Sequence, residues 1–494
     1  MAQRREEEMV VMFPFMAQGH IIPFLTLALQ IEQRFGYKII FVNTPLNIKK
    51  LHSSLPPNSS ISLIQLPYCS TDHGLPPDSE NTDTLSYPLI CNLLTSTLSL
   101  KPYFEQLILD LTKQQGHPPL CIIADLLFGW TVDIANDMNI FHAIFNSGGA
   151  YGMGVYYSVW MNLPHTKTDS DEFTLPDFPE VSSLHRSQLS NHLRNANGKD
   201  SWSKYIRKYL PLCFKSDGIL LNTIEELDQT GLKYFRRNFG GRPVWPILPA
   251  FMYQNKFTRD DGVVHCIRSH KKSGIDPEKC IEWLDNWSEN SVLFVSFGSQ
   301  NTISSSQMME LAIGLETSGK NFIWVVRPPV EFNISEEFRS EWLPTGYEDR
   351  IKKQNIGLIV HKWAPQLEIL SHKSTCAFVS HCGWNSILES LSHGVPILGW
   401  PLSGEQHYNS KFLEEEVGVC VEIGRGTTGE VKNENIKKAI GSVMGGSEKA
   451  REMRKKAFEV KEMIKNAIRE DEGFKGGAVK AIEDFFSAAL STRK

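Results

Sequence analysis

A chain of 494 residues with 41% hydrophobic and 22% charged positions is too long for one core and too apolar to stay unfolded, so two to three globular domains are expected. A net charge of -5 and a pI near 6.3 argue against a nucleic-acid binder, which usually needs a basic face. No apolar run reaches the roughly 18 residues of a membrane span, the polar start Met1 to Glu8 reads as no signal peptide, and nine cysteines without a C-x-x-C pair suit free thiols in a reducing cytoplasm.

In chain order, Val10 to Phe15 reads as a buried strand, Met16-Ala17-Gln18-Gly19-His20 as a turn, and Ile21 to Arg34 as a helix. Pro23 is tolerated in the first helical turn, where its missing N–H has no partner to lose. Lys38 to Val42, Cys121 to Ala124, His142 to Phe145 and Gly218 to Asn222 read as further parallel strands, because strands covered on both faces are apolar throughout. Between Pro243 and Pro277 the periodicity dissolves, as in a domain linker.

A second series follows. Val292 to Phe297 reads as a strand, Gly298-Ser299-Gln300-Asn301 as a loop, and Ser304-x-x-Gln307 as a capping box for a helix with Met308, Leu311, Ala312 and Leu315 on one face. Strands are expected at Phe322 to Val326, Gly357 to Val360, Ala377 to Ser380 and Ile397 to Trp400. Two α/β halves of similar size predict a cleft with ligands beyond the carboxyl ends of the strands, which suits a two-substrate enzyme.

The densest chemistry lies between Trp363 and Gln406. A strand ending at Ser380 runs through His381, Cys382 and Gly383 into a helix beginning near Trp384. That geometry presents unpaired N–H groups and the positive helix end to an anion such as a diphosphate. His381, Asn385 and Ser386 add side-chain donors, Glu389 lies one turn on where it can accept from ribose hydroxyls, and Trp363 offers a flat face for a base. Trp400 reads as core.

This segment, Trp363-Ala364-Pro365-Gln366 through His381-Cys382-Gly383-Trp384-Asn385-Ser386-x-x-Glu389 to Trp400-Pro401-Leu402-Ser403-Gly404-Glu405-Gln406, resembles the plant secondary product glycosyltransferase box of the plant family 1 UDP-glycosyltransferases. Phe15 to Pro23, Ser216 to Leu227 and Val295 to Ser299 agree with the same family. The resemblance implies an α/β GT-B fold, two Rossmann-like parallel-sheet domains facing across a cleft. It divides the chain into an acceptor domain (1–248), a linker (249–277), a UDP-sugar domain (278–466) and a C-terminal segment (467–494) whose helix returns to the first domain.

The resemblance also assigns roles. Uracil would lie on Trp363 with Ala364 and Gln366 at its edge, ribose on Glu389, the phosphates on Ser299, His381, Asn385 and Ser386, and the sugar hydroxyls on Trp384, Glu405 and Gln406. Gln406 goes with glucose rather than galactose. Gly404 stands where many relatives have Ala, a departure expected to change little, and Asn146-Ser147 replaces the Thr-Ser or Thr-Ala often found there.

For catalysis, His20 at a strand-to-helix turn can accept a hydroxyl proton near neutral pH. Asp125 at the end of an apolar run can orient the imidazole and stabilise its cation, although alone it could equally cap a helix. The family pattern makes these two the catalytic pair and implies in-line attack with inversion. The expected protein is a cytoplasmic, monomeric, metal-independent enzyme with no cofactor. Its partners are a UDP-sugar, preferably UDP-glucose, and a small hydrophobic acceptor of the flavonoid, phenylpropanoid or terpenoid type, possibly already glycosylated. A non-enzymatic nucleotide-sugar-binding protein of the same fold is the alternative. Asp169-Ser170-Asp171 has the spacing of a metal-holding motif but sits in a polar loop, and no Gly-x-Gly-x-x-Gly follows a strand, against a dinucleotide oxidoreductase.

Overall fold

The first apolar run folds as β1 (Met9–Phe13), buried along its whole length as an inner strand of a parallel sheet must be. The computed structural model describes residues 8–249, 274–300, 302–333, 336–427 and 429–492. They fall into two units, one within Met1–Ser183, Asn195–His270 and Asn466–Lys494, the other within Leu184–Arg194 and Lys271–Lys465.

In the first unit β1 is joined by β2 (Lys38–Asn43), β3 (Ser62–Gln65), β4 (Cys121–Asp125), β5 (Phe141–Asn146), β6 (Gly218–Leu221) and β7 (Val244–Pro246). All pair in parallel, in the order β3-β2-β1-β4-β5-β6-β7. Helix α1 (Gln18–Phe35) buries Phe24, Leu25, Leu27, Ala28 and Ile31 in the core with Val10, Met12, Ile39 and Phe41. The C-terminal helix Gly477–Ser491 completes that core: Phe485 lies 5.2 Å from Trp245 and Phe486 4.8 Å from Tyr37. Also in this unit are α2 (Ala150–Asn162) and α3 (Ser201–Tyr209).

Two expectations need correction. Helix α1 begins at Gln18, three residues before Ile21, so His20 belongs to its first turn rather than to the connection. Ala17 precedes it in extended conformation with no side-chain cap, so no capping residue in the sequence marks the start. The supposed loss of structure after Pro243 hides β7, which among the described residues pairs only with β6 and tolerates Pro246 because no outer neighbour there needs its N–H. Of the linker expected at 249–277, residues 250–273 lie outside the described residues, as does Asn301.

The second unit holds β8 (Val292–Ser296), β9 (Asn321–Val326), β10 (Gly357–His361), β11 (Thr375–Ser380), β12 (Ile397–Gly399) and β13 (Cys420–Glu422). These are parallel in the order β10-β9-β8-β11-β12-β13. The capping box forms at α4 (Ser305–Ser318): Ser304 Oγ accepts from Gln307 N while Gln307 Oε1 accepts from Ser304 N. Helices α5 (Gln366–Ser371), α6 (Trp384–Ser392) and α7 (Gln406–Phe412) follow β10, β11 and β12. Leu184–Arg194, which the sequence reading leaves in the first half, groups here, and Arg425 Nη1 donates to Ser187 Oγ at 2.5 Å.

Counted from its own first strand, the second sheet runs 3-2-1-4-5-6 and the first runs the same with a seventh strand added at its edge, the doubly wound order. Its switch point, where chain connections leave in opposite directions and ligands bind, lies between the first and fourth strands. Among the described residues, no helix is long and apolar enough to cross a membrane.

Candidate active site

At the switch point of the first sheet, β1 leads into α1 and β4 ends at Asp125. Strand pairing therefore brings together two residues 105 positions apart: His20 Nδ1 lies 2.7 Å from Asp125 Oδ2. Asp125 is fully buried while the His20 side chain is 25% exposed, so only the imidazole can meet a substrate. The carboxylate is held on both oxygens. Oδ2 also accepts from Phe15 N at 3.2 Å, and Oδ1 accepts from Leu127 N at 3.0 Å. Asp125 thus caps the turn Leu126–Phe128 with one oxygen, through Leu127 N, and meets His20 with the other. With Nδ1–H donating to the carboxylate, Nε2 keeps its lone pair for a proton.

At the switch point of the second sheet, β8 exits through Gly298 and β11 through His381. Gly383 precedes α6 with no side-chain cap, so the positive end of that helix lies at the exit of β11. The His381 ring is clamped between two glycines. A Cβ on Gly298, whose φ is +75°, would lie 2.6 Å from it, and one on Gly383 would lie 2.4 Å from its Nε2. His381 Nδ1 is buried with no hydrogen-bond partner among the described residues. Burial, with the charge of Arg327 nearby, lowers the His381 pKa to about 4, so the ring is a neutral donor at physiological pH. Arg327, the first residue after β9, has no place in the motif and went unread in the sequence. Asn409 Nδ2 secures the loop by donating to the Cys382 carbonyl at 3.1 Å.

Beside this loop, Glu389 is fully buried on α6, and its Oε2 accepts from Gln366 Nε2 at 2.6 Å. Ser386 Oγ lies 3.3 Å from the same amide, so α5 and α6 bring Gln366, Ser386 and Glu389 into one group. Trp363 is half-buried in the loop before α5, its carbonyl accepting from Gly274 N at 2.8 Å, and Ala364 is buried. Asn385 is part-exposed in the first turn of α6, and Ser299 is exposed just past Gly298.

Glu405 and Gln406 stand at the exit of β12, one strand further along the sheet. Gln406 Oε1 accepts from Leu402 N and Ser403 N, at 3.1 and 3.0 Å, which leaves its amide donors for a ligand. The Trp384 side chain is buried against Phe412, and Trp400 is core, its ring edge-on to Phe297 at 5.6 Å. Asn146 Oδ1 accepts from Gly148 N, while its buried Nδ2 has no partner among the described residues. Asp169 and Asp171 are exposed.

Two doubly wound sheets in succession are the architecture of the GT-B glycosyltransferases. The family profile described as UDP-glucoronosyl and UDP-glucosyl transferase matches residues 241–456. UDP-glycosyltransferase 92A1 of Arabidopsis thaliana is 45% identical over 488 residues, covering 97% of each chain. Crocetin glucosyltransferase 3 of Crocus sativus is 44% identical over 451 residues, 88% of this chain and 90% of that one. Among solved structures, Phytolacca americana UGT2 complexed with UDP-2fluoro-glucose and pterostilbene superposes with a TM-score of 0.75 at 27% identity, covering 98% of this chain and all of that one. Glycyrrhiza uralensis UGT73P12 reaches a TM-score of 0.81 at 28% identity over 98% of this chain and 96% of that one. The chain belongs to the plant family 1 UDP-glycosyltransferases and uses a UDP-sugar as co-substrate.

Proposed function

We propose that the chain transfers glucose from UDP-glucose to a hydroxyl of a small hydrophobic plant metabolite, with inversion and without a metal ion. The observation that carries this reading is the 2.7 Å pairing of His20 with the buried Asp125 at the switch point of the first sheet. His20 Nε2 takes the acceptor proton as its oxygen attacks the anomeric carbon, and Asp125 stabilises the resulting imidazolium. A single in-line displacement, with no enzyme nucleophile, inverts that carbon.

The departing UDP is held by residues of the second unit. Trp363 stacks on uracil with Ala364 and Gln366 at its edge, and Glu389 accepts from the ribose. Ser299, His381, Asn385, Ser386 and the N–H groups at the start of α6 take the diphosphate. Glu405, the Gln406 amide and the Trp384 backbone N–H contact sugar hydroxyls. Glucose is supported by Gln406 and by the UDP-2fluoro-glucose bound to the Phytolacca americana structure. An aromatic acceptor is supported by the pterostilbene bound there. The eight described cysteines are free thiols, which supports a cytoplasmic setting. We take the working unit to be a monomer.

The test is a panel of flavonoid, phenylpropanoid and terpenoid acceptors with UDP-glucose, UDP-galactose, UDP-xylose and UDP-glucuronic acid in equal amounts and excess chelator, read by mass and by the anomeric proton coupling. A β-glucoside as the dominant product is expected. Dominance of another sugar overturns the reading of Gln406, loss of activity in chelator overturns metal independence, and transfer to no acceptor favours the binding-protein alternative.

A further inference from the structure

The reading of His20 and Asp125 as the acceptor-activating pair raises the question of what keeps the carboxylate from rotating. Two of its three hydrogen bonds come from fixed neighbours on Oδ2, while Oδ1 depends on Leu127 N alone. The turn Leu126–Phe128 that carries this amide is itself seated on α3 and the segment after it. Tyr205 OH, on α3, donates to the Leu127 carbonyl at 2.9 Å, and its oxygen lies 2.8 Å from Thr97 Oγ1. Cys213 Sγ donates to the Leu126 carbonyl at 3.1 Å. Next to the turn, Gly129 leaves room for the backbone of Tyr209, whose carbonyl oxygen would lie 2.2 Å from a Cβ at that position.

We propose that Tyr205 is a positioning residue for the acceptor-activating pair: it anchors the Leu126–Phe128 turn and, through the Leu127 amide, fixes the orientation of Asp125 behind His20. The proposal rests on the reading of His20 and Asp125 given above. The alternative is a buried tyrosine satisfied for its own sake, with no influence on the reaction.

The geometry favours a directed role. Both turn carbonyls that could swing are tied down by side-chain donors from one neighbouring segment, and Tyr205, Cys213 and Thr97 are all buried. The titratable groups facing Asp125 are His20 from α1, Tyr157 from α2, Tyr205 from α3 and Cys213 from the segment after it. Burial raises the pKa of Tyr205 and Tyr157 and lifts Cys213 to about 12, so all three stay neutral. Tyr205 and Cys213 therefore remain donors across the working pH range.

Tyr205→Phe in the full chain tests this. A carboxylate free to turn stabilises the imidazolium less, so the His20 pKa falls. The expected result is a kcat lower by about tenfold, less than the roughly hundredfold that a misplacement of 1 Å can cost. The acid limb of the pH profile should move to lower pH, and UDP affinity by calorimetry should not change. In a His20→Ala background the same substitution should cost nothing further. Thr97→Val, which removes the hydroxyl that meets both the tyrosyl oxygen and the Leu94 carbonyl, should give a smaller shift in the same direction and serves where Tyr205→Phe folds poorly. A wild-type kcat and pH profile in both variants, or an equal fold loss with and without His20, overturns the proposal. Full activity in His20→Ala alone overturns the reading of the pair instead.

Discussion

The two sheets share the order 3-2-1-4-5-6, extended by a seventh strand in the first, and both place their polar residues where the first and fourth strands part, yet they present different chemistry there. The first unit presents one side-chain pair, an accessible imidazole backed by a buried carboxylate. The second presents a helix terminus, a clamped neutral imidazole and amide donors spread over α5, α6 and α7. In the proposed reaction a proton is taken at one atom, so a single oriented base would suffice for the acceptor. A diphosphate spreads its charge over many oxygens, so the donor side needs many fixed dipoles. Losing one group should therefore be severe in the first unit and graded in the second.

The largest effect expected is that of His20→Ala, a fall in kcat of about 100-fold or more, because a general base contributes roughly 10² to 10⁴. Initial rates on a good acceptor measure it, and near-normal turnover would break the contrast between the units. Glu389→Ala should weaken UDP by about tenfold, or about 1.4 kcal/mol, by calorimetry on a protein whose circular dichroism is unchanged. Unchanged UDP affinity would remove Glu389 from the ribose.

Acid should also divide the units. Burial lowers the pKa of His142 to about 3 in the first unit, and of His381 and His407 to about 4 and 3 in the second. Below the ordinary value of 6.5 the unfolded chain binds protons that the folded chain refuses, so stability falls as pH falls from about 6.5 toward these values. Melting temperature should drop between pH 7 and 5, and less steeply in His407→Gln, as differential scanning fluorimetry would show. Equal slopes would mean that His407 contributes nothing.

The smallest effect expected is at Gly404. Its φ of +59° is left-handed, so the departure read as neutral suits this loop. Gly404→Ala should cost about 1 kcal/mol of stability in chemical unfolding with kcat nearly intact. No loss of stability would show that the loop relaxes.

What the sequence made legible follows from burial. β1, β8 and β11 are inner strands, continuous apolar runs that declare themselves, and the residues at their ends were placed with them. Of the strands in the two large sheets, the three that escaped, β3, β7 and β13, are all edges: short, half-polar in Ser62–Gln65, interrupted by Pro246, or only three residues long at Cys420–Glu422. The motif residues were legible because their spacing is specific. The supports behind them were not, since Arg327, Tyr205 and Cys213 act through contacts between distant segments and look, in one dimension, like an arginine after a strand, a helix tyrosine and a core thiol.

The division of labour between the units is tested most directly by titrating UDP into His20→Ala and Glu389→Ala alongside the wild-type chain. The account predicts wild-type UDP affinity in His20→Ala despite its lost turnover, and weakened affinity in Glu389→Ala. A His20→Ala protein that loses UDP affinity in step with its turnover would contradict it.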